Sequence, residues 1–137
     1  MDLTKNVQDN DMCFACGQKN PISLGLDFKV SGKNKVQAVF VPQKNFQGYI
    51  DIVHGGIIST VLDEAMSKVI IMTGECRAVT GEINVRFKTA APVNQKYIVT
   101  GNLKKSYKKL FFTSAVLEDE EGKIYATAEA KFMNISG

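Results

Sequence analysis

A chain of 137 residues with 45% hydrophobic side chains carries one domain's worth of sequence, and at that length folding buries about two-thirds of the chain's surface. Charged residues make up 23%, which excludes a disordered or collagen-like chain. Seventeen Lys and Arg against 14 Asp and Glu leave a net charge of +3, too small and scattered to argue for nucleic acid, though it suits an anionic small ligand.

No run of about 18 apolar residues occurs, so neither a transmembrane helix nor a membrane partner is expected. The start, Met1-Asp2-Leu3-Thr4-Lys5, lacks the regions of a signal peptide. Three Cys are an odd number and make a disulfide framework improbable. A reducing cytoplasm is the expected compartment.

Residues 1–12 read as a polar arm, relieved only by Met1, Leu3, Val7 and Met12. Cys13-Phe14-Ala15-Cys16-Gly17 then leads to the turn signal Asn20-Pro21. Leu24, Leu26, Phe28 and Val30 alternate with polar residues, the pattern of a half-buried strand. Ser31-Gly32-Lys33-Asn34 turns the chain, and Val36–Val41 reads as the returning strand, ended by Pro42.

Residues 43–54 form a loop, after which the period changes. Ile57, Ile58, Val61, Leu62, Ala65, Met66, Val69 and Ile70 follow helical spacing up to Gly74. Their arc spans roughly 220° at 100° per residue, so this helix is embraced by other structure. Beyond Cys76 the period returns to two. Val79, Ile83, Val85 and Phe87 share one face, with Thr80, Glu82, Asn84, Arg86 and Lys88 on the other. Pro92 closes that strand, and Tyr97–Lys104 and Leu110–Glu118 follow. The turn Asp119-Glu120-Glu121-Gly122-Lys123 leads to a last strand with Ile124, Ala126, Ala128, Ala130 and Phe132 on one side. Three alanines there would let a helix approach closely. About six strands joined by short turns favour an α+β fold, one antiparallel curled sheet wrapped around one long central helix. One helix cannot cover both sheet faces, and a second copy is the economical cover.

Chemistry concentrates at His54-Gly55-Gly56. Consecutive glycines at a helix start leave backbone N–H groups uncovered, with the positive end of the helix dipole behind them. A carbonyl oxygen gaining negative charge fits there. Asp63 falls on the margin of the apolar arc, whereas Glu64 lies about 100° further round and has Lys68 at i+4 as a surface partner. Ser67 is placed to hydrogen-bond Asp63. The simpler reading is a flexible glycine entry and a solvated Asp63, and spacing alone does not separate the two.

The run Ile52-Val53-His54-Gly55-Gly56-Ile57-Ile58-Ser59-Thr60-Val61-Leu62-Asp63-Glu64-Ala65-Met66 resembles the signature of hotdog-fold acyl-CoA thioesterases, in particular the phenylacetic-acid-degradation-type branch. The opening Cys13–Gly17 with Asn20-Pro21 and Gly25-Leu26 is similar to that of one subgroup, and Val79–Phe87 to the strand after the family's helix. The resemblance implies a catalytic carboxylate at Asp63, an oxyanion-binding amide at Gly55, and assisting hydroxyls at Ser67 and Thr80. Relatives often carry Asn or Gln about six residues ahead of the His; that place is Gly48 here, which leaves the adjacent Gln47 as candidate. His54, Gly56, Asn84 and Arg86 are the substrate-binding candidates. The resemblance also implies a site between two subunits, a homodimer assembled into a homotetramer, and no cofactor.

His54, the single His, reads better as a capping or loop-orienting residue than as a base. Cys13 and Cys16 form one CxxC, and a four-ligand zinc site needs two further donors. With Cys76 and His54 the only other Cys or His, no metal is expected, and a redox role lacks a thioredoxin-like context. Lys104, Lys105, Lys108 and Lys109 read first as a solvated turn. Contact with coenzyme A phosphates, joined by Arg86 and Lys88, is the functional alternative. The reading is therefore hydrolysis of an acyl-CoA to a free acid and coenzyme A, with a non-catalytic acyl-CoA or lipid-binding hotdog protein as the alternative. A hotdog dehydratase would need a differently spaced His.

Overall fold

A computed structural model describes residues 11–74 and 77–135. Residues 1–10 of the expected arm, and Cys76, lie outside the described residues. Six strands and one α-helix follow in chain order among them: β1 (Lys29–Gly32), β2 (Lys35–Phe40), α1 (Gly55–Gly74), β3 (Ala78–Phe87), β4 (Tyr97–Tyr107), β5 (Leu110–Asp119) and β6 (Ile124–Asn134). The sheet order is β1-β2-β4-β5-β6-β3, every neighbouring pair antiparallel. This is the expected hotdog architecture, a curled sheet around a central helix.

The helix forms where the 3.6-residue period placed it. Ile58, Val61, Leu62, Ala65, Met66, Val69 and Ile70 are all buried. They pack onto the inner sheet face, where Val36, Phe40, Val99, Leu117, Ala126, Ala128 and Phe132 complete the core. The closest approach of helix to sheet falls on β4. A Cβ on Gly101 would lie 2.3 Å from the Ala65 carbonyl oxygen, so only glycine fits beneath the helix midpoint. The three alanines of β6 are buried as expected, but the tightest contact is made elsewhere.

The segment Leu24–Val30 departs from the expected strand. Ladder pairing begins only at Lys29. Leu24 and Leu26 instead donate their N–H groups to the carbonyls of Phe14 and Ala15, so their alternation reflects packing under the Cys13–Gly17 turn. Gly17 sits where a Cβ would be 2.4 Å from the Asp11 carbonyl and the Cys13 amide, which fixes glycine at that turn.

Two surfaces of the sheet matter for function. The outer face is largely polar: Asn84, Arg86, Lys104, Ser114, Thr127 and Glu129 line a shallow cavity of about 420 Å³. That cavity presents little apolar surface, whereas an edge of the sheet presents more. Among the described residues, strand β3 has no neighbour on one side, and Ile83 and Phe87 on it are 37% and 53% exposed. A long free edge with apolar side chains is a template for pairing.

Candidate active site

The start of α1 is built by His54. Its carbonyl accepts from the amides of Ile57 and Ile58, and its ring Nδ1 accepts from the Gly56 N–H at 2.8 Å. His54 is thus the N-cap, which puts its ring proton on Nε2. A Cβ on Gly56 would lie 3.0 Å from that Nδ1, so the second glycine makes room for the cap. With the Gly56 amide engaged, the Gly55 N–H is the donor left without a hydrogen-bond partner at the helix start among the described residues. It points out of the helix along the dipole axis. The Phe87 ring at the far end of β3 stands 3.4 Å from where a Gly55 Cβ would be.

Two turns on, Asp63 is half-buried between α1 and β3, and its Oδ1 accepts from the Thr80 hydroxyl at 2.7 Å. Burial raises the Asp63 pKa above the ordinary carboxylate value, and the Thr80 hydrogen bond opposes that shift. A partly desolvated carboxylate, held by one hydroxyl, suits proton abstraction or attack on a carbonyl carbon.

Thr80 reaches this site because of a bulge. Thr80 pairs with Phe132, which is buried, and Glu82 pairs with Lys131 on the outer face; the register slips between them. Gly81 is the extra residue, so Thr80 turns to the helix side instead of joining Glu82, Asn84 and Arg86 on the outer face, as strict alternation predicts. Bulges re-aim side chains in this way.

Gly55 and Asp63 are eight residues apart, about 12 Å along the helix at 1.5 Å per residue. A carbonyl group touching both an amide and a carboxylate spans roughly 7 Å at hydrogen-bonding distances. The two groups of one chain therefore cannot act on the same carbonyl.

The fold matches known proteins. A family model described as the thioesterase superfamily aligns with residues 51–126, the stretch that holds α1 and β3. The chain belongs to the thioesterase superfamily. Among curated relatives, mouse acyl-coenzyme A thioesterase THEM4 is 29% identical over 112 residues, covering 74% of this chain and 46% of that protein. Human acyl-coenzyme A thioesterase THEM5 is 26% identical over 104 residues, covering 75% of this chain and 42% of that protein. The chain thus spans under half the length of these relatives. Among solved structures, the Escherichia coli PaaI protein of the phenylacetic acid degradation operon superposes with a TM-score of 0.76 at 17% identity, over 83% of this chain and 82% of that one. A Streptococcus mutans protein bound to acetyl CoA gives 0.75 at 18% identity, over 81% and 89%. At these identities the superpositions speak for the fold.

The remaining expected residues of this thioesterase-superfamily chain distribute unevenly. Ser67 is half-buried one turn beyond Asp63, but the carboxylate's side-chain hydrogen bond comes from Thr80. Gln47 sits in the loop before the helix; its carboxamide oxygen accepts from the Asp51 N–H at 3.0 Å, which leaves its NH₂ as the usable donor. Asn84 and Arg86 lie on the outer sheet face, away from Asp63 of their own chain.

Glu64 differs from expectation. Its pairing with Lys68 exists, at 3.9 Å, but the side chains are only 14% and 17% exposed, so this is no surface pair. The Cys13–Gly17 turn covers them. Burial, followed by the Glu64 carboxylate, pushes the Cys16 thiol up to about 12. The helical wheel showed which way Glu64 pointed, but nothing local revealed that a distant loop would fold over it.

Proposed function

We propose that the chain hydrolyses an acyl-CoA thioester to a carboxylic acid and free coenzyme A. It acts as a homodimer, assembled into a homotetramer, in a reducing cytoplasm that keeps Cys13 and Cys16 out of a disulfide. The observation that carries the reading is the pairing of a half-buried, Thr80-held Asp63 with a free Gly55 amide at a helix start. The roughly 12 Å between them on one helix supports a site shared by two chains.

The exposed edge of β3 offers the contact. Antiparallel pairing of two β3 strands about a two-fold axis near Ile83 and Asn84 sets the Thr80 end of one chain beside the Phe87 end of the other. Asp63 of one chain then faces Gly55 of its partner. In this arrangement the thioester oxygen accepts from the Gly55 N–H, whose dipole stabilises the charge that develops there. Asp63 either takes a proton from a water that attacks the acyl carbon or attacks that carbon itself. In the first case the C–S bond breaks once the new C–O bond has formed, and the proton held by Asp63 passes to the coenzyme A sulfur. In the second the C–S bond breaks to release coenzyme A thiolate, leaving an acyl anhydride on Asp63 that water hydrolyses to the free acid and the regenerated carboxylate. Thr80 orients the carboxylate, Ser67 lies on the same flank, and the Gln47 NH₂ is the loop donor for the thioester. His54 and Gly56 shape the helix start. Arg86, Lys88 and Lys104, beside Asn84, supply positive charge suited to the phosphates of coenzyme A.

A panel of short, long and aromatic acyl-CoAs, with thiol release read by a thiol-reactive dye, tests the reading. At least one member should turn over, and Asp63→Asn should lower that turnover about 10²-fold or more while acyl-CoA binding survives. Binding without thiol release from any member would leave a non-catalytic acyl-CoA-binding protein.

A further inference from the structure

The Cys13 and Cys16 thiols and the Glu64 carboxylate converge under the N-terminal turn, their donor atoms all within 4.8 Å of one another. We propose that Cys13, Cys16 and Glu64 form a binding site for a thiophilic divalent cation of the zinc type, which clamps the N-terminal segment onto α1.

Three features of the structure carry this. The first is preorganisation. The Gly17 N–H donates to the Cys13 carbonyl at 2.8 Å, closing a tight turn that aims both thiols the same way, and the space at Gly17 forbids any side chain there. Small movements bring three donors already this close to ligand distances of about 2.0–2.3 Å from a shared ion. The second is charge. Two thiolates and a carboxylate around a divalent ion leave one net negative charge, and Lys68, with its ammonium 3.9 Å from the Glu64 carboxylate, neutralises it. A half-buried ion cluster without net charge avoids the desolvation cost of a lone buried charge. The third is room. Cys16, Gly17, Lys68 and Met72 border a cavity of about 610 Å³, which leaves a fourth coordination position open to water or another small ligand. The sulfur-rich donor set selects zinc-type over magnesium- or calcium-type ions.

Cys and His alone are too few donors in this sequence for a closed metal site. Glu64 is the missing one, brought to the CxxC turn by the fold. The clamp is independent of the proposed hydrolysis, because Glu64 faces away from the Asp63 flank and the ion touches no group of the candidate active site.

The test uses the full chain, stripped of metal, kept reduced and titrated with Co²⁺ and then Zn²⁺. We expect one Co²⁺ per chain with a thiolate-to-cobalt charge-transfer band, bleached by one equivalent of Zn²⁺, and a rise in melting temperature with either ion. Cys76→Ser should leave the band intact. Cys13→Ser with Cys16→Ser should abolish it, and Glu64→Gln, which keeps the shape, should weaken Zn²⁺ binding about 100-fold or more, beyond the loss usual for groups that only support a ligand. Absence of the band in the unaltered chain, or its persistence in the Cys13→Ser, Cys16→Ser variant, overturns the proposal.

Discussion

Mixing two inactive variants should restore activity if Gly55 and Asp63 act from different chains. Asp63→Asn removes the carboxylate. Gly55→Pro removes the amide proton at the first helical position, where proline is accommodated, and a Cβ there meets nothing nearer than the Phe87 ring at 3.4 Å. Each variant alone has two damaged sites per dimer. In a mixed dimer, the Gly55 of the Asp63→Asn chain meets the Asp63 of the Gly55→Pro chain, so one site is intact and the other carries both lesions. Random exchange makes half the dimers mixed, each with half its sites working, so activity should return to about a quarter of the unaltered level. The assay is thiol release from the best acyl-CoA after co-refolding, with mixed dimers counted by native mass spectrometry on differently tagged chains. Mixed dimers formed in full, with no activity above the parents, would refute the shared site.

Because burial raises the Asp63 pKa, the acid limb of kcat/KM should lie above the ordinary Asp range, and activity should fall as pH drops through that raised value. Thr80→Val removes the bond that opposes the shift, so the limb should move to higher pH; no movement would detach Thr80 from the carboxylate. A native pKa above the unfolded one means the fold binds that proton more tightly, so Asp63 costs stability at neutral pH. Asp63→Asn should melt higher than the unaltered chain at neutral pH, and the difference should shrink as pH falls. His54→Ala should lose the cap, about 0.5–2 kcal/mol by chemical denaturation, whereas His54→Asn, another capping residue, should retain most stability and turnover; an inactive but stable His54→Asn would make His54 a proton carrier. Gly101→Ala, with its Cβ 2.3 Å from the Ala65 carbonyl, should cost about 3 kcal/mol or more, and a melting temperature near that of the unaltered chain would show that the helix is free to shift.

The helix was the most legible element, because seven of the eight apolar positions named by its period are buried and Ile57 is partly so. Periodicity worked there since one helix face meets one continuous core. It misled at Leu24–Val30, where apolar alternation arises from a loop lying over the segment instead of a ladder partner. Thr80 was named through family resemblance, yet its placement beside Asp63 depends on the Gly81 bulge, which a period of two does not encode. Glu64 shows the same limit over a longer range, since its burial depends on a turn some 50 residues earlier in the chain. Strand order was equally hidden: β3 follows the helix directly but ends at the far edge of the sheet.

The contact between Gly101 and Ala65 restricts where a bound tail could go. With room for no more than a hydrogen atom at that crossing, no hydrocarbon can thread beneath the middle of the helix toward β4. Any chamber for an acyl group has to open on the opposite flank, toward β3 and whatever lies across its edge. Its length and shape would then be set by how two chains meet, so redesign for a different substrate should begin with side chains such as Ile83 and Phe87 and leave the core intact.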